Sequence, residues 1–303
     1  MDHFIAISQH TPDELNELID LSIELKGLYK SGGRDLCLAG KTLAMLFEKT
    51  SLRTRMSFQI AMDNLGGNAI YMKPDDIGII GKREPAKDVA RVLGRYVDGI
   101  MARTFAHQTI IDLAEFSGVP VINALSDWSH PCQAMADVQT IKEHLGDLNG
   151  LKLAYVGDGN NVARSLCFVS AKFGMKCFVA SPEGYKLDEE SLRRANEFCE
   201  GAAVQVTDPA EAVAGAQVVY TDTWVSMGQE EEKAKRVNDF EGYQVNGELM
   251  SKAAAGAKVM HCLPAYRGYE ITDEVVESEN SIIFDQAENR LHFQRALLKK
   301  LLT

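Results

Sequence analysis

Positive charge is the first shortage. The 303 residues include 32 lysines and arginines against 43 aspartates and glutamates, a formal net charge of -11 at pH 7. That balance argues against nucleic acid or an anionic membrane as partners, so any anionic ligand must be met by a local cluster of cations. The six cysteines form no C-x-x-C pair and lie mostly in apolar runs, which predicts reduced core thiols. The seven histidines show no H-E-x-x-H or other ligand spacing, and no metal is expected. There is no G-x-x-x-x-G-K-[ST], which disfavours a nucleoside triphosphate, and neither a Ser/His/Asp order nor a glycosidase-type carboxylate pair stands out. No apolar run approaches membrane-spanning length. The start Met1-Asp2-His3-Phe4 lacks the basic residues and apolar core of a signal peptide, so a cytoplasmic location is expected.

What is present is alternation. The length suits roughly two domains. Thr11-Pro12-Asp13-Glu14 opens a helix, with threonine as cap, proline at the first helical position and acids in the first turn. Short apolar runs at 43–47, 68–72, 99–103 and 119–125 then alternate with helical patterns, the clearest carrying Val89, Val92, Leu93 and Tyr96. A long helix from about Pro131 to Leu145 bridges to a second half with runs at 151–156, 177–181, 203–207, 218–222, 258–262 and 281–286. A last helix is expected from about Ala287 to Leu302. Repeated βαβα implies an α/β protein of two doubly wound parallel-sheet lobes, with its active site in the cleft between them. Open sheets of this kind bind ligands beyond the carboxyl ends of their strands, and the chemically interesting residues fall there in both halves.

Phe47-Glu48-Lys49-Thr50-Ser51-Leu52-Arg53-Thr54-Arg55 joins the first strand to a helix expected over Met56 to Leu65. Free backbone N–H groups and the positive end of a helix dipole make such a junction an anion site. Hydroxyls and paired guanidiniums there fit a small phosphate compound; the plain alternative is a polar turn with two solvated arginines. Arg103 ends the third run, as a phosphate ligand or the partner of a nearby acid. His130-Pro131-Cys132-Gln133 puts an imidazole at a helix start, able to donate to a carbonyl oxygen or simply to cap, and a glutamine one turn in. Gly157-Asp158-Gly159-Asn160-Asn161 is half of a dinucleotide fingerprint without the third glycine, and the following strand ends without the acid that would hold a ribose hydroxyl. Asparagines that bind a small polar ligand and asparagines that serve a glycine turn both fit. Asp222-Thr223-Trp224-Val225-Ser226-Met227-Gly228 follows a strand as a polar loop where an aspartate could bind an ammonium group. His261-Cys262-Leu263-Pro264 closes the last long strand, and Cys262 there reads as a small buried hydrophobe or a reactive thiol.

Together, and in order, Ser51-Leu52-Arg53-Thr54-Arg55, Met101-Ala102-Arg103-Thr104, His130-Pro131-Cys132-Gln133, the Gly157 to Asn161 turn, Asp222 with Ser226-Met227-Gly228, His261-Cys262-Leu263-Pro264 and Glu288-Asn289-Arg290 resemble the ornithine carbamoyltransferases. The resemblance spans nearly the whole chain. It implies a carbamoyl-phosphate domain over 1–133, with the C-terminal helix 289–303 packing back on it, and an ornithine domain over 134–288. It implies transfer of the carbamoyl group of carbamoyl phosphate to the δ-amine of L-ornithine, giving L-citrulline and phosphate, without cofactor, in a homotrimer or a multiple of trimers. By the same resemblance Ser51, the Leu52 backbone, Arg53, Thr54 and Arg55 hold the phosphate, helped by Arg103 and Arg290. Arg103, His130 and Thr54 face the carbonyl oxygen, and Gln133 and the Leu263 backbone hold the carbamoyl amide. Asn161, Asp222, Ser226 and Met227 hold the α-carboxylate and α-amine of ornithine, and Cys262 with Asp222 sits near the reacting amine.

Two positions depart from the family pattern. Leu52 stands where many relatives carry threonine, and Ile79 falls where relatives often carry a glutamine or histidine that reaches a neighbouring subunit's carbamoyl phosphate; Lys82 is a nearby polar substitute. Other acceptors (aspartate, N-acetylornithine, putrescine), a nicotinamide dehydrogenase and a two-lobed solute-binding protein are the rival readings.

Overall fold

The structure, a computed structural model, describes the whole chain except Gly78, Ile79 and Met227, together with the side chains of Pro74 and Ile77. The expectations attached to Ile79 and Met227 therefore lie outside the described residues. The chain divides into two compact units, Met1–Gln139 with Glu288–Thr303, and Thr140–Ala287. Among the described residues no helix is long and apolar enough to cross a membrane.

The first unit is built on four parallel strands, β1 (Thr42–Phe47), β2 (Asn68–Met72), β3 (Gly99–Arg103) and β4 (Val121–Leu125), in the order β2-β1-β3-β4. From Leu43 to Phe47, β1 is buried at every position, as a strand covered on both faces must be. The chain first builds outward from β1 to β2, then returns to the other side of β1 for β3. Between β1 and β3 the strand order reverses, and their carboxyl ends lie side by side with Phe47 opposite Arg103. The Ser51 loop and Arg103 thus meet at the switch point.

The second unit repeats the device with five parallel strands, β5 (Lys152–Val156), β6 (Lys176–Ala180), β7 (Ala203–Val206), β8 (Val218–Thr221) and β9 (Lys258–His261), ordered β7-β6-β5-β8-β9. Here the reversal lies between β5 and β8, whose ends pair Val156 with Thr221. Gly157 and Asp222 are the next residues of each strand. The core beneath them includes Val156, Val219, Trp224, Phe240, Val259 and Ile271.

Three local expectations are corrected. The run 281–286 is not a strand: Ser281 makes one bridge to Val259, and a helix, Ile283–Leu302, starts at once. A run this short has no periodicity of its own, and the Gln286 N–H bonds back to the Ile282 carbonyl at 2.9 Å, joining the run to the helix that follows. The helix after the phosphate-type loop begins at Leu52 rather than Met56, because Ser51 caps it. Tyr96 lies beyond the Ala86–Leu93 helix, which ends at Gly94, and is 77% exposed; Ala86 and Ala90 are that helix's buried positions.

Candidate active site

In the first unit the residues at the β1 and β3 ends are locked together. Ser51 has extended backbone and its Oγ accepts the Thr54 N–H at 3.3 Å while lying 3.1 Å from Thr54 Oγ1. Arg103 Nη1 donates to the same Thr54 Oγ1 at 3.3 Å. The Leu52–Asn64 helix therefore presents its first turn beside a buried guanidinium, the two ingredients of an anion site. His130 precedes the Pro131–Leu145 helix, and its carbonyl accepts the Gln133 N–H at 3.1 Å. One turn in, Gln133 is held at both ends of its amide: Arg290 Nη1 donates to Oε1 at 2.6 Å, and Nε2 donates to Asp137 Oδ1 at 2.8 Å.

The electrostatics follow from this packing. Burial drives the His130 pKa well below the ordinary histidine value, and the charges of Arg290, Arg103, Lys49 and Arg53 push the same way. At neutral pH its imidazole is uncharged, with one N–H to give and one lone pair to receive. Four cations beside a neutral ring, in a chain with a net charge of -11, make a local anion trap. Lys49 is also lowered, by burial and then by Arg103, with its ammonium 4.6 Å from the Phe105 ring centre. Two expected members sit apart from this cluster. The Leu52 side chain is 74% exposed, which leaves its backbone N–H as the contribution it can make, and the exposed Arg55 lays its guanidinium 4.1 Å over the Tyr71 ring.

In the second unit Asp222 is the centre. Its carboxylate accepts from the Thr223 N–H at 2.8 Å, from Cys262 Sγ at 2.9 Å and from Asn160 Nδ2 at 3.0 Å. Asn160 has extended backbone, not left-handed, and its Oδ1 caps the Asn161–Lys172 helix by accepting the Val162 and Ala163 N–H groups at 2.8 and 3.2 Å. Asn161 is the first residue of that helix. Gly159 is demanded by space, since a Cβ there would lie 2.4 Å from the Leu187 nitrogen. Cys262 is partly exposed, a thiol engaged with a carboxylate rather than a buried hydrophobe. Leu263 has φ +59, a left-handed conformation that costs a leucine about 1–2 kcal/mol. Ser226 is partly exposed, its N–H on Gln229 Oε1 at 3.0 Å.

Asp222, His261 and Cys262 present ligand-type atoms within 4.8 Å of one another. Each is already spoken for: the thiol donates to Asp222, and the two ring nitrogens of His261 meet the Leu263 N–H and Glu270. A cation here would have to displace these bonds.

Several partners were not singled out from the sequence. Asp137 lies four residues after Gln133 on one helix face, a readable spacing. Lys49 lies inside the Phe47–Arg55 stretch. Arg236 donates to Glu232 at 3.0 Å, a readable i,i+4 pair, but also to Asp158 at 2.7 Å and the Trp224 carbonyl at 3.0 Å, and those long-range links carry no local signal.

Fold and site together define a two-unit parallel α/β enzyme, with a phosphate-type anion site in one unit and a carboxylate-centred polar site in the other. Comparison with known proteins gives that class its family. Residues 2–143 match the carbamoyl-P binding domain of aspartate/ornithine carbamoyltransferase, and residues 149–301 match its Asp/Orn binding domain. The ornithine carbamoyltransferase of Carboxydothermus hydrogenoformans is 51% identical over 302 residues, covering 99% of this chain and 97% of that protein. That of Methanocorpusculum labreanum is 48% identical over 301 residues, covering 99% and 98%. Among solved structures, the ornithine carbamoyltransferase from Pyrococcus furiosus superimposes with a TM-score of 0.96 at 46% identity, covering 99% of this chain and 97% of that one. The enzyme from Thermus thermophilus gives 0.89 at 47%, covering 99% and 98%. The chain belongs to the aspartate/ornithine carbamoyltransferase family.

Proposed function

We propose that this chain transfers the carbamoyl group of carbamoyl phosphate to the δ-amine of L-ornithine, releasing L-citrulline and phosphate. The observation that carries the reading is the buried His130 at its helix start amid the charges of Arg290, Arg103, Lys49 and Arg53, with Arg103 bonded to Thr54 in the first turn after β1. The phosphate is held by Ser51, the Leu52 N–H, Arg53 and Thr54, with Arg103 and Arg290, while Arg55, stacked on Tyr71, adds positive charge from the rim. The carbonyl oxygen lies on Arg103, His130 and Thr54, and the carbamoyl amide on Gln133 and the Leu263 backbone. Ornithine is held by Asn161, Asp222, Ser226 and Met227, with Cys262 and Asp222 beside the reacting nitrogen.

The chemistry accounts for these residue types. The unprotonated δ-nitrogen attacks the carbonyl carbon, an N–C bond forms, and negative charge builds on the carbonyl oxygen. The C–O bond to phosphate then breaks, charge passes to the leaving group, and the nitrogen sheds a proton. Donors fixed at those two oxygens before the reaction begins are the largest expected term, about 2.7–4 kcal/mol for a single donor at such a site. A neutral His130 suits this role, because it donates one hydrogen bond without adding a charge that would have to be desolvated. Orientation of two polar substrates supplies the rest.

The reading extends to a cytoplasmic homotrimer or a multiple of trimers. In its support, the first unit leaves Leu52 and Met56 exposed about one turn apart on one helix, and Ile70 exposed on the edge strand β2.

Titration calorimetry of carbamoyl phosphate into the wild type and Arg53→Ala tests the phosphate assignment. Loss of one charge-assisted contact predicts affinity weaker by about 1.5–3 kcal/mol. Equal affinity in a folded variant would refute the role.

A further inference from the structure

His261 ends β9 two residues before Leu263, and its ring is engaged on both sides. Nδ1 accepts the Leu263 backbone N–H at 2.8 Å, and Nε2 lies 3.1 Å from Glu270 Oε1. A backbone amide can only donate, so Nδ1 carries no proton. The ring proton is therefore on Nε2, and Glu270 accepts it. Both residues are 1% exposed, and the same Glu270 oxygen also takes the Tyr266 N–H at 2.6 Å, which fixes the carboxylate from a second direction. The backbone N–H of His261 is held in turn by Gln286 Oε1 at 2.9 Å.

This arrangement grips an unusual piece of backbone. Leu263 is the one non-glycine residue with positive φ among those described, at +59. Strained backbone persists where its surroundings over-determine it, and the imidazole is what the Leu263 N–H is bonded to. The residue between, Cys262, is the one whose thiol meets Asp222.

The geometry points to His261 as a positioning residue: its Nδ1 holds Leu263 in the left-handed turn that sets Cys262 on Asp222 and fixes the Leu263 carbonyl, while Glu270 keeps the ring in the tautomer this requires. The inference deepens the proposed reading of Asp222, Cys262 and Leu263 as part of the substrate site, and rests on it. A merely structural His–Glu pair would instead make activity follow stability.

Two substitutions separate the ring's two jobs. Asparagine places an oxygen two bonds from Cβ, where Nδ1 stands, and cannot reach Glu270. Glutamine reaches three bonds from Cβ, where Nε2 stands, and offers nothing to Leu263. His261→Gln is expected to keep the buried contact and a melting temperature near that of the wild type, yet to lose kcat/KM for ornithine on the order of 100-fold through misplacement of the turn. His261→Asn is expected to melt lower and to retain kcat/KM close to the wild type. Wild-type kcat/KM in His261→Gln, or activity that tracks melting temperature in both variants, overturns the inference. Nitrogen NMR of the wild type with 15N-labelled histidine decides it even where a variant fails to fold: a proton on Nε2 and none on Nδ1 is expected, and an imidazolium or a proton on Nδ1 overturns it. A wild type that binds and turns over no ornithine removes the underlying reading and the inference with it, and leaves the tautomer result as it was.

Discussion

His130 is uncharged because burial and four neighbouring cations each oppose protonation, and that has a thermodynamic consequence. In the unfolded chain the same residue takes up a proton as pH falls through about 6.5. The folded chain resists until its own, lower pKa is reached, so between about pH 6.5 and that lower value the folded state binds fewer protons than the unfolded one and stability falls as pH falls. Denaturant unfolding of the wild type and His130→Asn from pH 7.5 to 5 should show a shallower loss in the variant; equal slopes would mean that His130 is not held neutral. Asn160 makes a second residue-scale case. It caps one helix and donates to Asp222, so Asn160→Ala should lose about 1 kcal/mol of stability from the cap and raise the KM for ornithine, measured by denaturation and steady-state kinetics. A stability loss with KM unmoved would restrict it to capping.

Helix starts were legible from sequence only where the cap and first turn are plainly marked, because caps act over three or four residues; the Ser51 cap and the start at Ile283 were missed. Thr11 caps its helix as expected and also closes a capping box with Glu14, with the Glu14 N–H on Thr11 Oγ1 at 3.2 Å and the Thr11 N–H on Glu14 Oε2 at 2.9 Å. Thr11→Ala should therefore cost about 1 kcal/mol of stability and leave turnover unchanged, which thermal melts and a rate assay would check. Strand runs were legible where flanked by glycine turns and helical stripes, which is why β1 to β9 fall close to the apolar runs. The run at 281–286 failed because its three apolar residues, Ile282, Ile283 and Phe284, fit either period, and only packing decides between them. Tyr96 failed for a related reason: an aromatic at helical spacing looked like core, but Gly94 had already ended the helix. The candidate site was legible as strand-end motifs. Its internal wiring was not, since Asn160 to Asp222 and Arg236 to Asp158 join residues 62 and 78 positions apart.

At the scale of the whole molecule, one rule serves both units. Each sheet reverses its strand order once, and at each reversal the two adjacent strand ends supply the polar residues: Ser51 to Arg55 with Arg103, and Gly157 to Asn161 with Asp222. A chain this acidic nevertheless concentrates arginines at the first of these points, which answers the shortage of positive charge with placement. Light scattering should give the mass of a trimer or a multiple of it; a fully active monomer at assay concentration would overturn the proposed assembly. The acceptor must be a free amine, and an alkyl amine of this kind titrates near pH 10, so where chemistry limits the rate kcat/KM should rise about tenfold per pH unit between 6 and 8. The most direct measurement is product formation from carbamoyl phosphate offered in parallel with ornithine, N-acetylornithine, putrescine and aspartate, scored as ureido product and phosphate. Citrulline from ornithine, with little or no product from the others, is the predicted result. Turnover with another amine and none with ornithine would contradict the account.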